Sequence, residues 1–359
     1  MPKLNPYSLS FLETLDRFQS IEKELQLDKS LIQGAPWWDM LRYPLFQHIL
    51  DRLGFVEPSD VDHKLGPTKR EFLFFSRLLK LFNLTFSKNS PIWVRKNSIL
   101  IFSHPRRKLE DGVFIDPYTD PFIELLPHHL RVAVIERDAG HGHLCPVPTD
   151  NIYYLDYLLV VSGIIRTFKS NKFESDELLA VNILEKHLLN NFGIKVDVLG
   201  RVIDSVNRWK ATYPLMRLYF KLKKPSHFFI VVSAFHEVFI AAAKSCGIPT
   251  IELQHGSPVQ GKLNYDYSSG LSKVCFPDWF LSFGEYWTSN CKLPLAKENI
   301  IDLGFPYLAN KRSLYSSYPK EDVLVVISQP GYGNRLVDFT ISTATLYSGR
   351  VSIIFRPHP

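Results

Sequence analysis

From residue 228 onward, short apolar runs alternate with amphipathic segments of helical length. This pattern is typical of βαβ units, because parallel strands buried on both faces are continuously apolar and need a crossover helix between them. The predicted strands are 228–233, 250–253, 279–283 and 300–303. The helix between the first two ends at Gly247, a glycine C-cap followed by Pro249. The pattern predicts a doubly wound α/β lobe with a parallel sheet.

Two earlier runs, 98–103 and 131–136, also read as strands of this lobe. Residues 111–121 between them are rich in carboxylates and turn formers, which predicts a loop or short hairpin. Helical periodicity fills residues 8–55 and 153–223. Within the first of these regions, Pro36 to Tyr43 contains two tryptophans, which indicate an aromatic anchor for the entry helices; a substrate role is the alternative.

A second unit begins near the end of the chain. Strands are predicted at 323–327 and 351–355, with a helix at about 334–347 between them. One such unit cannot close a core of its own, and the chain ends at Pro359, so we expect an incomplete second lobe. The expected division is 1–95 for an N-terminal helical region, 96–308 for a Rossmann-like lobe, 309–322 for a polar linker and 323–359 for the second lobe.

Charge and cysteine content limit the class of protein. The net charge is +6, but the basic residues are scattered, whereas nucleic-acid binders concentrate them on one face. We therefore expect no nucleic-acid partner, while nucleotide phosphates or the inner face of a membrane remain compatible. The four cysteines form no CxxC pair and predict reduced thiols. No secretory signal or spanning segment is visible, which predicts a cytoplasmic protein, with peripheral membrane contact left open.

The strand predicted at 250–253 is followed by Gln254, His255 and Gly256. Ligands of open α/β sheets bind at the carboxyl ends of strands, and the glycine lets a ligand approach the backbone. A neutral imidazole there can take a proton from a sugar hydroxyl, so His255 is the predicted catalytic base. The alternative is a histidine whose hydrogen bonds are made by a neighbouring strand.

Other polar side chains lie at the same predicted edge. His236 and Glu237 open a helix after the strand 228–233; His236 could bind an anion, and Glu237 could be only a favourable charge in the first helical turn. Asp116 and Asp120, in the carboxylate-rich segment, are candidates for the acceptor side of the cleft. The turn that begins at His104 lies where the strand 98–103 would deliver side chains to that cleft.

Two dipeptides end the strands of the second unit. Gln329-Pro330 follows the strand 323–327, and His358-Pro359 follows the strand 351–355 two residues after Arg356. Proline restricts the residue before it to extended conformations, so Gln329 and His358 should point outward with little freedom. Arg356 and His358 lie on the same side of an extended chain and could reach a phosphate.

Metal and nucleotide-triphosphate chemistry find little support in the sequence. The histidines show no HExxH or similar ligand spacing, and Gly142 between His141 and His143 fits a loop equally well. A P-loop is absent, and the glycines at 331 and 333 lack the third glycine of a dinucleotide fingerprint. We expect neither a metal nor a cofactor.

Four motifs together resemble bacterial surface-polysaccharide glycosyltransferases of the GT-B fold: the turn at 254–256, the segment 304–307 (GFPY), and the QP and HP pairs. Similar motifs occur in Kdo transferases of capsule and O-antigen synthesis and in the glycerophosphotransferases of teichoic-acid synthesis. The resemblance covers 228–359 and, more loosely, 98–136.

The resemblance implies a GT-B-like fold, with an acceptor-side first lobe and a donor nucleotide-binding second lobe. It implies a nucleotide-sugar donor, with CMP- and UDP-linked sugars as candidates, and a glycan or glycolipid acceptor. Donor contacts would come from Gln329, Pro330, Arg356 and His358, and His255 would face the acceptor. The alternatives are a CDP-glycerol-type glycerophosphotransferase and a non-catalytic protein that binds glycan or supports an assembly complex.

Overall fold

The computed structural model describes residues 9–55, 85–104, 106–138, 142–168, 172–267, 271, 273–328, 333–347 and 349–357. The strands in these ranges are β1 (Ile99–Phe102), β2 (Lys108–Glu110), β3 (Val113–Ile115), β4 (Val132–Glu136), β5 (Ile152–Tyr154), β6 (His227–Ile230), β7 (Thr250–Leu253), β8 (Trp279–Ser282), β9 (Ile300–Asp302), β10 (Val323–Ile327) and β11 (Ser352–Arg356). The helices are α1 (Phe11–Glu24), α2 (Trp37–Arg52), α3 (Asp120–Glu124), α4 (Asp156–Thr167), α5 (Ser175–Phe192), α6 (Val198–Lys223), α7 (Glu237–Lys244), α8 (Glu285–Ser289), α9 (Pro306–Tyr315) and α10 (Gly333–Leu346).

A seven-stranded sheet organises the chain, in the order β5-β4-β1-β6-β7-β8-β9. Each neighbouring pair in it is parallel. The prediction of an α/β fold with a parallel sheet is therefore confirmed, and the architecture is compatible with a Rossmann-like fold.

The order of the strands reverses beside β1. The chain passes from β1 to β4 and β5 on one side, and then returns to place β6 on the other side of β1. At such a switch point the crossover connections diverge, which leaves a crevice outside the carboxyl ends of the two strands. The residues that follow β1 and β6 therefore line the natural ligand-binding position of this sheet.

Alternate strand residues face two separate cores. On one face, Leu100, Phe228 and Ile230 pack against the helices α4, α6 and α7. On the other face, Ile101 and Val231 pack with Phe122 of α3. This two-sided burial explains why the strands read as continuous apolar runs.

The two N-terminal helices share an apolar core with helices that follow β5. This core joins α1, α2, α5 and the first half of α6. Trp37 and Trp38 are 0% and 2% exposed, and the indole of Trp38 donates to Glu22 at 2.6 Å. The aromatic-anchor interpretation is confirmed. Trp37 is the first residue of α2, and most residues in the first three turns of this helix are buried.

The hairpin of β2 and β3 was predicted from the sequence, but the strand β5 was not. The expected hairpin is present as the antiparallel pair β2–β3. Its turn residues Asp111 and Gly112 both have positive φ (48° and 80°), which suits a two-residue Asp-Gly turn. The short strand β5 lies at the start of a segment that was predicted as helical, because three residues at a sheet edge give too little pattern to identify a strand.

Strands β10 and β11 pair in parallel, as predicted, in a separate two-stranded sheet. Their apolar side chains are largely exposed, with Val325 at 52% and Ile327 at 66%. The stretch 309–322 was expected to be irregular, but it begins inside α9, which starts at Pro306. Periodicity is weak there because α9 buries none of its residues.

The longest helix, α6, has 26 residues and packs against α2, α4, α5 and α7. It carries charged side chains along its length, among them Arg201, Asp204 and Arg208. Across the described ranges, no helix combines the length and the apolar character that crossing a bilayer requires.

Candidate functional site

Two histidines meet at the carboxyl edge of the sheet. His104 follows β1 and His255 follows β7, and both rings are half-buried. The ring centroids are 6.0 Å apart and the planes differ by 24°, so the imidazoles lie nearly parallel. The sequence predicted the position of His255, and the sheet topology brings His104 beside it.

The hydrogen bonds of His104 assign its ring proton. The backbone N–H of Arg106 donates to Nδ1 of His104 at 3.1 Å, so the neutral ring carries its proton on Nε2. Burial, together with the charge of Arg106, lowers the pKa of His104 to about 4. At neutral pH this ring is an uncharged donor.

His255 has the opposite arrangement. Its Nδ1 lies 3.2 Å from the hydroxyl oxygen of Tyr265, and that hydroxyl donates to Oε1 of Glu252 at 2.6 Å. While Glu252 is an anion, it accepts the single hydroxyl proton of Tyr265, so Nδ1 of His255 is then the donor and Nε2 is an acceptor. Burial lowers the pKa of His255 to about 3, and the electrostatic interactions with the neighbouring His104 ring and with Lys262 add to this effect.

Glu252 is the unexpected member of this group. It lies in the middle of β7 and is fully buried. Burial raises its pKa to about 7, although the hydrogen bond from the hydroxyl of Tyr265 favours the anion. The side chain is therefore divided between its acid and its anion near neutral pH. A carboxylate inside an apolar four-residue strand was the signal in the sequence that could have identified it.

Aromatic rings continue from the histidine pair. Tyr118 approaches His255 edge-on, with centroids 6.3 Å apart. The ring of Phe305 stacks on Tyr118 at 5.6 Å and on Phe283 at 4.5 Å. Flat apolar surfaces beside a few fixed polar groups are the usual lining of a small-molecule site. Phe305 belongs to the segment 304–307 that the sequence singled out, whereas Tyr118 was not selected.

Two cations lie near the histidine pair. Burial lowers the pKa of Lys262, and among the described residues its ammonium group has no hydrogen-bond or ion-pair partner. A Cβ added at Gly256 would lie 3.3 Å from Nζ of Lys262, so the glycine leaves room for this side chain. Arg106 is exposed, and its charge acts on His255. Both positions suit an anionic group of a ligand.

The predicted residue Gln254 connects two strands instead of facing the cleft. Its amide donates to the carbonyl of Gly256 at 2.7 Å and accepts from the N–H of Phe283 at 2.7 Å. The side chain is almost fully buried. Gln254 therefore holds the loop after β7 against the loop after β8 and supports the position of His255.

Asp116 is likewise engaged by protein groups. Its carboxylate accepts from the backbone N–H groups of His104 and Tyr118 (both 2.9 Å) and from the hydroxyl of Thr119 at 2.7 Å. Burial raises its pKa. Asp116 thus fixes the backbone on which both His104 and Tyr118 stand.

Asp120 belongs to a buried charged network. Its carboxylate lies 3.3 Å from Arg107, which also bonds to Glu136 at 2.7 Å, and burial raises the pKa of Asp120 to about 6. His143 lies between Glu136 (3.0 Å) and Asp156 (2.5 Å). Burial disfavours a charged ring there, but hydrogen bonds to Asp156 and Glu136 prevail and raise the pKa of His143 to about 9. The network joins the loops after β1 and β4.

His236 and Glu237 lie at the turn after β6. Nδ1 of His236 donates to the carbonyl of Val232 at 2.9 Å, and burial, reinforced by Arg137, lowers the pKa of His236 to about 4. The ring lines a cavity of about 210 Å³ that also contains Arg137 and Arg208. The carboxylate of Glu237 is buried and accepts from the N–H of Phe235 at 3.0 Å, so it stabilises the turn.

Of the four residues predicted to bind the donor, the structure describes only Arg356. Gln329, Pro330 and His358 lie outside the described residues. Arg356 ends β11 with its side chain exposed, and its carbonyl accepts from the N–H of Ser328 at 2.9 Å. The ends of the two strands therefore lie side by side, as expected for consecutive parallel strands.

No arrangement among the described residues brings three or more His, Cys, Asp or Glu side chains into the geometry of a metal site. A scan against models of known protein families finds no match, and a search of curated proteins finds no relative. Function is therefore inferred from the residues at the carboxyl edge of the sheet.

Proposed function

We propose that this protein is a GT-B-type glycosyltransferase that moves a sugar from a nucleotide-activated donor to a hydroxyl group of a surface glycan. The observation that carries the proposal is the pair of parallel, uncharged imidazoles with opposite proton assignments. His104 offers Nε2–H as a donor, and while Glu252 is an anion His255 offers the lone pair of Nε2 as an acceptor. Adjacent hydroxyls of a sugar, each able to donate and to accept, match this pair.

The surroundings of the pair support a carbohydrate ligand. The rings of Tyr118 and Phe305 extend the site with flat apolar surface, which suits the C–H face of a sugar ring. Because both imidazoles are neutral, they would bind the acceptor through hydrogen bonds and not through ion pairs. An uncharged glycan would therefore fit the site. The acceptor hydroxyl would donate to Nε2 of His255, and its neighbour would accept from His104.

The donor is expected to be anionic. Lys262 and Arg106 lie close enough to His255 for their charges to lower its pKa, so an anionic group near them would be favoured. On the resemblance, the nucleotide itself would be bound by Gln329, Arg356 and His358 from the second lobe. The role of the protein would be to hold donor and acceptor in line and to remove the hydroxyl proton as the bond to the sugar carbon forms.

A binding screen followed by a transfer assay tests the proposal. The full chain is mixed with CMP-, UDP-, GDP- and CDP-linked sugars and with CDP-glycerol, and its melting temperature is recorded. We expect one nucleotide class to raise it, because a ligand that binds only the folded state stabilises that state. Stabilisation by CDP-glycerol alone would instead favour glycerophosphate transfer, in which a hydroxyl is again the attacking group.

The variant His255→Ala separates binding from transfer. It should lose transfer, measured by mass spectrometry of an oligosaccharide acceptor, by a factor of about 10²–10⁴ while keeping the thermal shift with the donor. His128→Ala is the matched control, because His128 is exposed in the loop before β4, at the opposite edge of the sheet. Wild-type transfer by His255→Ala, or no thermal shift with any donor class, contradicts the proposal.

A further inference from the structure

We propose that Glu252, Tyr265 and His255 form a proton relay in which Glu252, and not the imidazole, is the final acceptor of the proton that leaves the attacking hydroxyl. The catalytic part of this inference rests on the proposed function; the relay itself is a property of the folded chain. It adds two positioning residues, Glu252 and Tyr265, which lie behind His255 and need not touch a substrate.

The geometry allows one continuous path. Oε1 of Glu252 is 2.6 Å from the hydroxyl of Tyr265, and that hydroxyl is 3.2 Å from Nδ1 of His255. Glu252 and Tyr265 are both fully buried, so the inner end of the path is not exposed to bulk solvent. Nε2 of the half-buried His255 is the outer end.

The relay resolves a conflict within the site. A useful general base has a pKa close to the working pH, whereas the pKa of His255 is about 3. An imidazolium is disfavoured there because the ring is largely buried, lies against His104 and is near the positive charge of Lys262. Glu252, whose pKa burial raises to about 7, is a better proton acceptor. Passing the proton inward uses that carboxylate and leaves the ring uncharged.

The protons and electrons balance in a single shift. The oxygen of the acceptor hydroxyl forms a bond to the donor sugar carbon, and the bond from that carbon to the nucleotide phosphate oxygen breaks, with its electron pair leaving on the nucleotide. The hydroxyl proton goes to Nε2 of His255, the Nδ1 proton goes to the oxygen of Tyr265, and the Tyr265 proton goes to Glu252. The imidazole ends neutral, as the other tautomer. The reverse shift then returns the proton through Nε2 to solvent or product.

The charged and titratable groups around the relay set its pH range. Glu252 faces Tyr265, the hydroxyl of Ser233 and the ammonium group of Lys273, which favours the anion. His255 faces His104, Lys262, Arg106 and the carbonyl of Val231. Burial raises the pKa of Glu252 to about 7. Because the relay needs Glu252 as an anion, transfer should rise with pH through about 7.

The tautomer of His255 provides a test that needs no substrate. When Glu252 is an anion, the ring proton lies on Nδ1; when Glu252 is protonated, Tyr265 donates to Nδ1 and the ring proton moves to Nε2. Nitrogen-15 NMR of the histidine rings in the full chain, between pH 5 and pH 9, should show this exchange with a midpoint of about 7. In Tyr265→Phe and in Glu252→Gln the pH-dependent exchange should disappear.

Transfer kinetics provide the second readout. Tyr265→Phe should lower kcat by a factor of about 10²–10⁴ and remove the rise near pH 7, with little change in KM. Tyr286→Phe is the control, because Tyr286 is 71% exposed on α8. Glu252→Gln is a second test of the relay in case Tyr265→Phe misfolds, because this substitution keeps the size of the side chain and removes only its charge.

The outcomes separate the two proposals. A tautomer of His255 that stays fixed from pH 5 to pH 9 overturns the relay, even if the wild-type protein transfers sugar. Unchanged kcat and pH profile in Tyr265→Phe overturn it as well. A tautomer that switches as described in a protein that transfers no sugar supports the relay and rejects the glycosyltransferase assignment.

Discussion

Replacing Arg42 by methionine tests how the N-terminal helices hold the loop that carries Tyr265. The guanidinium group of Arg42 is 1% exposed and bonds to both carboxylate oxygens of Glu22, at 2.5 and 2.9 Å. It also donates to the carbonyls of Leu263 and Asp266, at 2.5 and 2.9 Å. These carbonyls flank Tyr265, so Arg42 joins α2 to the inner end of the proposed relay.

Removing one partner of a buried ion pair costs about 3–5 kcal/mol, because the other charge stays buried without compensation. Arg42→Met should cost at least this much, since the two carbonyls also lose their donor. Additional replacement of Glu22 by leucine should recover part of the loss, but not the share due to the carbonyls, which is about 1–3 kcal/mol for each buried group left unpaired.

Urea unfolding followed by tryptophan fluorescence measures this loss, because Trp38 donates to the same carboxylate of Glu22. Amide exchange over residues 261–267 shows whether the loop itself loosens. Arg52→Met, at the exposed end of α2, is the matched control. If the free energy of unfolding of Arg42→Met lies within about 1 kcal/mol of that of the control, Arg42 does not clamp the loop.

Two further predictions concern the supports of the cleft. In the folded state the pKa of His143 is raised to about 9. The stability that this raised pKa contributes is complete below the usual pKa of about 6.5 and is lost as pH rises through 9. A plot of melting temperature against pH should show this loss, and the loss should be smaller in His143→Gln. Gln254→Leu leaves the N–H of Phe283 and the carbonyl of Gly256 without their side-chain partner, so the free energy of unfolding should fall by about 1–3 kcal/mol; urea unfolding checks this, and an unchanged midpoint would mean that Gln254 does not clamp the two loops.

The sequence predicted the fold class because the physical signal for it is local. Strands such as β6 and β7 are buried on both faces, so each reads as an apolar run, and Gly247 with Pro249 ends the helix between them. The signal fails where a helix is not buried. Helix α9 buries none of its residues, so it does not show the alternation on which a helical prediction depends.

The candidate site was less predictable for a different reason. His255 could be selected because it follows a strand, but its partners come from distant parts of the chain: His104 lies 151 positions earlier in the sequence and meets it only through the sheet order. Gln254 was selected for the same reason as His255, and Asp116 was selected because it lies in a carboxylate-rich segment. The polar atoms of both are engaged by other groups of the protein. Position at a strand end therefore predicts which residues reach the edge, and hydrogen bonding then decides which of them face a ligand.

Burial shifts the pKa values of the two ends of the proposed relay in opposite directions. Burial disfavours charge on either group, which lowers the pKa of the imidazole of His255 and raises that of the carboxyl of Glu252. Considered alone, His255 is too weak a base, and Glu252 is too deep to touch a substrate. The hydroxyl of Tyr265 joins the two, so a neutral ring at the surface of the cleft can deliver its proton to a carboxylate inside the sheet. On this reasoning, Tyr265 is the residue whose loss should most sharply separate binding from turnover.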